Sequence, residues 1–134
     1  MKKMLLLFIA IVGLNTTITT AIAIAAEGPK EKEVQVGISG AFIPGGFDST
    51  SDAYVVVNGV FQNGCYRWSR AEVTKVDEFN HEVKSMAIVT PGMCIMVLVP
   101  FQKDIRLGRL PTGKHSLKFL NGDDTYLEKT LNVE

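Results

Sequence analysis

Few side chains in this sequence have both the type and the spacing to do chemistry. His81 and His115 are the only imidazoles, and serines stand at 39, 49, 51, 69, 85 and 116. None of those serines lies in the G-x-S-x-G turn that presents an exposed nucleophile. A Ser–His–Asp set can be written on paper from nearly any chain of this size. No catalytic residue is therefore assigned, and both histidines are read as surface or strand-end residues. Met86, Met93 and Met96 join the two histidines as the soft ligand types that exported copper carriers use. Met93 and Met96 differ in parity, however, so a regular strand points them to opposite faces, and core packing accounts for them without a metal. Asp123-Asp124 lacks the longer ligand loop and terminal bidentate acid of a calcium site and reads as a solvated hairpin tip. No metal and no cofactor is expected, and the chain is read as a non-enzyme.

Cys65 and Cys94 are the remaining reactive side chains. Two thiolates without further close ligands make a poor zinc site. Their role depends on compartment, which the N-terminus addresses. Lys2 and Lys3 precede an apolar run over residues 4–14. Residues 15–20 are polar but uncharged, and residues 21–26 contain the small side chains of an A-x-A cleavage site at Ala23-Ile24-Ala25. The strong apolar run covers about 11 residues, whereas a membrane span needs roughly 20. Residues 1–25 read as a secretory signal peptide cleaved after Ala25, which places the mature chain in the periplasm or outside the cell with no stable membrane anchor. An even cysteine count in an oxidising compartment implies a Cys65–Cys94 disulfide. It closes a loop of about 30 residues, worth ~3.5 kcal/mol in the chain-entropy model.

Composition sets the outer limits. The chain has 134 residues, 46% hydrophobic and 21% charged, with 14 basic against 14 acidic side chains. Losing residues 1–25 removes Lys2 and Lys3 and no acid, which leaves 12 basic against 14 acidic. No basic field exists to draw nucleic acid, and the length admits one domain rather than a multidomain enzyme.

The elements that must position any site are short and β-rich. Residues 26–33 read as a flexible, charged lead-in and residues 34–134 as a single domain. Val34, Val36 and Ile38 alternate with polar neighbours as in a half-buried strand. Residues 54–57 (YVVV) suggest an inner strand buried on both faces, with a bulge or turn at Asn58-Gly59. Residues 65–76 form an amphipathic strand whose parity changes near Ser69-Arg70, the mark of a bulge. Residues 81–89 follow with Val83, Ala87 and Val89 on one parity. Residues 93–99 (MCIMVLV), ended by Pro100, are the most hydrophobic mature segment and read as a buried central strand. Ile105 and Leu107 mark a short strand. His115, Leu117 and Phe119 open a hairpin that turns at Asn121-Gly122 and returns over residues 126–133. Lys129 there shares the apolar parity, as an inward charge does when it protects an edge strand. Seven or eight such strands predict an all-β, immunoglobulin-like antiparallel sandwich with one disulfide.

Three blocks carry a resemblance. They are Gly59-Val60-Phe61-Gln62-Asn63-Gly64-Cys65-Tyr66, the stretch from Cys94 to Pro100-Phe101, and Leu107-Gly108-Arg109-Leu110-Pro111-Thr112-Gly113 with the following Lys114-His115-Ser116-Leu117. In this order they resemble a pattern in uncharacterised bacterial exported domains, which implies a small single-disulfide β-sandwich and no particular activity. Gln62 stands where that pattern tends to have Pro, and His115 where it tends to have Tyr. If that Tyr ties a strand corner, His115 does so through a ring nitrogen or the tie is absent.

Two surfaces remain as candidates for binding. Residues 40–52 (GAFIPGGFDSTSD) place Phe42, Ile43 and Phe47 on a Gly- and Pro-rich loop that reads as unable to form a strand. Those side chains either recognise a partner or plug one end of the sandwich. Tyr66, Arg67 and Trp68 have the residue types enriched at interfaces, and Trp68 equally suits the core. The resulting expectation is a non-catalytic exported module that binds a protein or glycan. The alternatives are a small peptidase inhibitor presenting residues 40–52, and a periplasmic metal carrier.

Overall fold

In β3 (Ala53–Phe61), Ala53, Val55, Val57 and Phe61 are buried while Tyr54 and Val60 are exposed. The valine-rich run is thus buried on one face, not on both. Its sheet has a solvent-facing outer side, as antiparallel sheets commonly do. That sheet has three antiparallel strands in the order β2 (Gly40–Phe42), β3 and β6 (Val99–Gly108). These coordinates are a computed structural model and describe Gly28 and residues 30–134. The expected signal peptide lies outside the described residues.

The second sheet is organised around β5 (Asn80–Val89), whose buried parity is His81, Val83, Ser85 and Ala87. Along one edge runs β4 (Tyr66–Lys75), antiparallel, with the register shift between Trp68 and Arg70 where the sequence changes parity. The other edge of β5 is shared end to end. β1 (Lys32–Val36) pairs antiparallel with residues 85–89, and β7 (Gly113–Leu120) pairs parallel with residues 80–84. β8 (Tyr126–Val133) then completes the hairpin with β7. The fold is the expected eight-stranded sandwich in two sheets with one disulfide, and no helix occurs among the described residues. The β5–β7 pair makes it a mixed rather than a wholly antiparallel arrangement.

The main core lies between Val55, Val57 and Ile105 of one sheet and Val83, Leu117, Phe119 and Leu131 of the other. A second cluster of Phe61, Ala87 and Phe101 closes the opposite end. Gly59 stays in the strand without a turn because the Phe101 ring across the pair occupies the space of a Cβ, which would stand 2.5 Å from it. Lys129 is half-buried at an inward position of the edge strand β8, and Lys103 lies between Phe101 and Ile105 in the edge strand β6. Lys103 is exposed, so Lys129 is the inward lysine of the two, and an inward lysine on an edge strand discourages pairing with a second chain.

Three local expectations are corrected. Residues 90–98 form a loop rather than a buried central strand, and β6 begins only at Val99. Pro100 does not end a strand; it sits inside β6, which tolerates it as an edge strand with one free side. Gly40, Ala41 and Phe42 pair with Asn58, Val57 and Val56, so the segment read as unable to form a strand supplies a short one.

A disulfide-tethered apolar loop as candidate binding site

The loop between β5 and β6 is anchored at several points. Cys94 is bonded to Cys65, with Cα atoms 5.2 Å apart. The Gly64 N–H donates to the Ile95 carbonyl at 2.9 Å, and the Thr90 N–H donates to the Cys65 carbonyl at 3.0 Å. The loop is therefore fastened to the turn before β4 at its base and its middle, while its side chains point away. Met93 is fully exposed, Met96 is 81% exposed, Ile95 and Leu98 are about equally so, and Val97 is half exposed. No ionisable side chain occurs over residues 90–101. Solvent-exposed apolar groups scattered singly need no explanation; five within one six-residue stretch form a patch of the kind that marks contact surfaces. Val60 is exposed at the end of β3, and a cleft of about 320 Å³ lined by Val34, Val36, Phe61 and Tyr66 opens at the same end of the sandwich. Aliphatic and thioether side chains offer contact and no catalysis.

The chain reaches this end through β1. The Glu31 carboxylate accepts two bonds from the Arg67 guanidinium at 2.6 and 2.7 Å and a third from the Thr90 hydroxyl at 3.1 Å. Glu33 accepts from Arg70 at 2.6 Å and from Ser69 at 2.8 Å, reaching across β5. Arg67 and Arg70 hold both carboxyls below the usual glutamate range through these bonds. Lys32 and Glu33, expected in the flexible lead-in, thus belong to a paired strand. Being exposed, these ion pairs fix register more than they add stability.

The earlier candidates separate. Phe42 is outward on β2 and 65% exposed, and Ile43 is half-buried against the main core. Phe47 is 8% exposed and is a core residue, which removes it from the binding candidates. The positive φ of Gly46 (83°) turns the chain so that the Phe47 ring meets Tyr54 edge-on at 5.5 Å and its backbone bridges to Val133. Tyr66 is half-buried and stacked on Phe61, and Trp68 packs against both core clusters and lies 5.5 Å from Phe101. Arg67 is engaged by Glu31. The structure brings Tyr66 to the apolar end but places Phe42 on the outer face of β2 in the other sheet.

The histidines are buried, which corrects their reading as surface or strand-end groups. Both occupy inward positions, His81 on β5 and His115 on β7. His115 Nε2 lies 2.7 Å from the Pro111 carbonyl and must donate to it, since a carbonyl oxygen only accepts. His115 Nδ1 is then the acceptor for the N–H of His81 Nε2 at 3.0 Å. The ring nitrogen therefore ties the corner preceding β7. Phe79 caps the pair at 5.1 Å from His115 and fills the place of a Cβ at Gly113. Burial pushes the His81 pKa below the ordinary imidazole range; His115 and Lys75 act the same way, and Asp77 opposes them. As pH falls below about 6.5, the unfolded chain binds this proton before the folded one does, so stability present above that pH is lost toward the folded-state value. Urea midpoints should fall between pH 7.5 and 5, and His81→Gln should flatten that slope; an unchanged slope in the variant contradicts the assignment.

The aliphatic loop went unread in the sequence as a site because an unbroken apolar run has the same pattern in a buried strand. The signal that separates the two is its punctuation: Pro91-Gly92 before it, a half-cystine within it and Pro100 after it. None of the curated proteins and none of the solved structures compared matches the chain. A family model, the ORF11 beta-sandwich domain, matches residues 55–133. That stretch runs from within β3 to the end of β8 and contains both cysteines, the tethered loop and the histidine pair. It is more than half of the chain and holds six of the eight strands described above, from most of β3 through β8: this protein belongs to the ORF11 beta-sandwich domain family.

Proposed function

We propose that the protein is an exported, non-catalytic β-sandwich module that works by binding, with residues 93–98 as its contact surface. The observation that carries this reading is the exposed apolar loop that a disulfide and two backbone bonds hold in place. A tether of this kind lowers the entropy lost when the loop is ordered on a partner. The disulfide also suits an oxidising, exported setting. Of the two expected partner classes, a glycan fits least, because the loop offers neither an aromatic platform nor a polar side chain to its hydroxyls. The acceptor is an apolar surface.

Capture from an exported fraction tests this, with retained protein and lipid both analysed. The parent should retain components that Ile95→Asp/Leu98→Asp releases, and soluble glycans should not compete. Both replaced side chains are exposed, so the variant should melt within a few degrees of the parent. Equal retention by a folded variant, or competition by glycans, overturns the reading.

A further inference from the structure

We propose that the buried His81–His115 pair is a proton-operated latch on the corner between β6 and β7. The latch is closed while the two rings share one N–H and open once both carry charge, with the rest of the sandwich still folded. The corner, residues 109–112, lies outside the strands and is held by side chains. His115 Nε2 donates to the Pro111 carbonyl at 2.7 Å, the Thr112 hydroxyl donates to a backbone oxygen of Glu134 at 3.3 Å, and Leu110 is buried in the main core. Gly108 and Gly113 flank the corner with φ of 77° and 141°, which gives it a hinge at each end. The pair itself stands on strands with partners on both sides. His81 is opposite Lys75 on β4 and Leu117 on β7, and His115 is opposite Leu131 on β8. Repulsion at the pair therefore finds its release at the corner, not in the sheet. The latch lies where β5 starts and the tethered loop where β5 ends, so it is independent of the binding reading.

The proton count follows from the bonds. With both rings neutral, His115 carries its proton on Nε2, and His81 Nε2–H donates to His115 Nδ1 at 3.0 Å. The vacant lone pair is on His81 Nδ1, and a first proton there leaves the N–H···N bond intact. A second has only His115 Nδ1 to occupy, where it faces the His81 N–H. Two charged rings would then stack with centroids 5.2 Å apart, and burial screens their repulsion poorly. The surrounding charges do not offset it. On the β4 side Lys75 adds positive charge, and Asp77 is taken up by the Phe79 and Asn80 N–H groups and the Asn80 amide. Glu82 and Lys118 line a cleft of about 180 Å³ beside His81 as opposite charges. On β8, Glu128 accepts from the Ser116 hydroxyl and the half-buried Lys129 adds positive charge, while Arg109 and Lys114 are exposed. The other sheet brings only Ala53, Val55, Val57 and Ile105 to the buried core, and Ser85 is the one further buried polar side chain among the described residues. Among those residues no carboxylate forms a salt bridge with either ring.

Solution NMR of the intact, disulfide-bonded protein, titrated downward from about pH 7, reads each step. Long-range 15N–1H spectra give the tautomer and charge of each imidazole. The Leu110 methyl shifts and the cross-peaks from the His115 ring to Pro111 and Phe79 report the corner. Expected at the start is a neutral His115 protonated on Nε2. The first proton should fall on His81 with the corner unmoved. The second should shift the Leu110 methyls and remove both sets of cross-peaks, while Phe61, Ala87 and Phe101 at the opposite end keep their positions. His81→Gln supplies the control: its amide, turned over, accepts from a charged His115 through Oε1, so its corner should stay closed over the same range. A corner that opens equally in H81Q overturns the latch. So does a His115 that starts with its proton on Nδ1, or a pair that takes both protons with the cross-peaks intact. Simultaneous loss of the Phe61, Ala87 and Phe101 positions overturns it in favour of global unfolding. Should H81Q not fold, the parent's own titration still decides, because the tautomer, the order of the two protons and the corner signals are all read from it.

Discussion

Phe47→Ala should lower the free energy of unfolding by ~3–5 kcal/mol, the range for truncating a buried phenylalanine, whereas Phe42→Ala should stay within ~0.5 kcal/mol, as surface changes do. The two rings stand only five positions apart, and composition alone gives them the same role. Phe47 packs into the main core beside Val133 and Tyr54, and the Glu134 N–H donates to its carbonyl at 2.8 Å, so its loss leaves a cavity where the chain's last strand closes the sandwich. Phe42 pairs through its backbone with Val56 and turns its ring to solvent. Urea titration of each variant against the parent measures both values. Equal losses would mean that residues 43–52 do not fold inward as described.

Cys94→Ala should cost ~2–5 kcal/mol, the usual loss for a disulfide in a small secreted domain. The bond joins positions 29 apart in sequence and links the turn before β4 to the loop before β6, elements of different sheets. Without it, two backbone bonds, Gly64 to Ile95 and Thr90 to Cys65, are left holding the base of the loop. Protein recovered from an oxidising compartment should take up no alkylating reagent until reduced. Two freely alkylated thiols before reduction would contradict the bridge.

Much of the frame was legible because it follows period and punctuation. Val83 and Ala87 on one parity, the register shift at Ser69-Arg70 and the hairpin around Asn121-Gly122 are local signals, and the strands formed where they pointed. The expectation of export led from two cysteines to one bond, and the bond is present. What was not legible depended on neighbours. Residues 93–99 carry no alternation, so hydrophobicity alone could not distinguish a core strand from a projecting loop. The outcome turned on how β6 pairs, with Val99 and Pro100 already opposite Phe61 and Val60. His81 and His115 lie 34 residues apart and meet only because β5 and β7 pair in parallel, a long-range arrangement with no local mark. Phe42 and Phe47 divided for a similar reason: three residues found a partner in β3, and the positive φ of Gly46 sent the rest inward.

The central claim is that residues 93–98 form an exposed contact surface, and methionine oxidation tests it most directly. Thioethers are oxidised by peroxide according to their exposure, and the chain has an internal standard in the half-buried Met86. Brief treatment with dilute peroxide, followed by peptide mass spectrometry, should show Met93 and Met96 oxidised well ahead of Met86 in the free protein. Both should be protected when the fraction retained in the capture experiment is added. Met93 and Met96 reacting as slowly as Met86 in the free protein, or reacting equally fast with and without that fraction, would contradict the account.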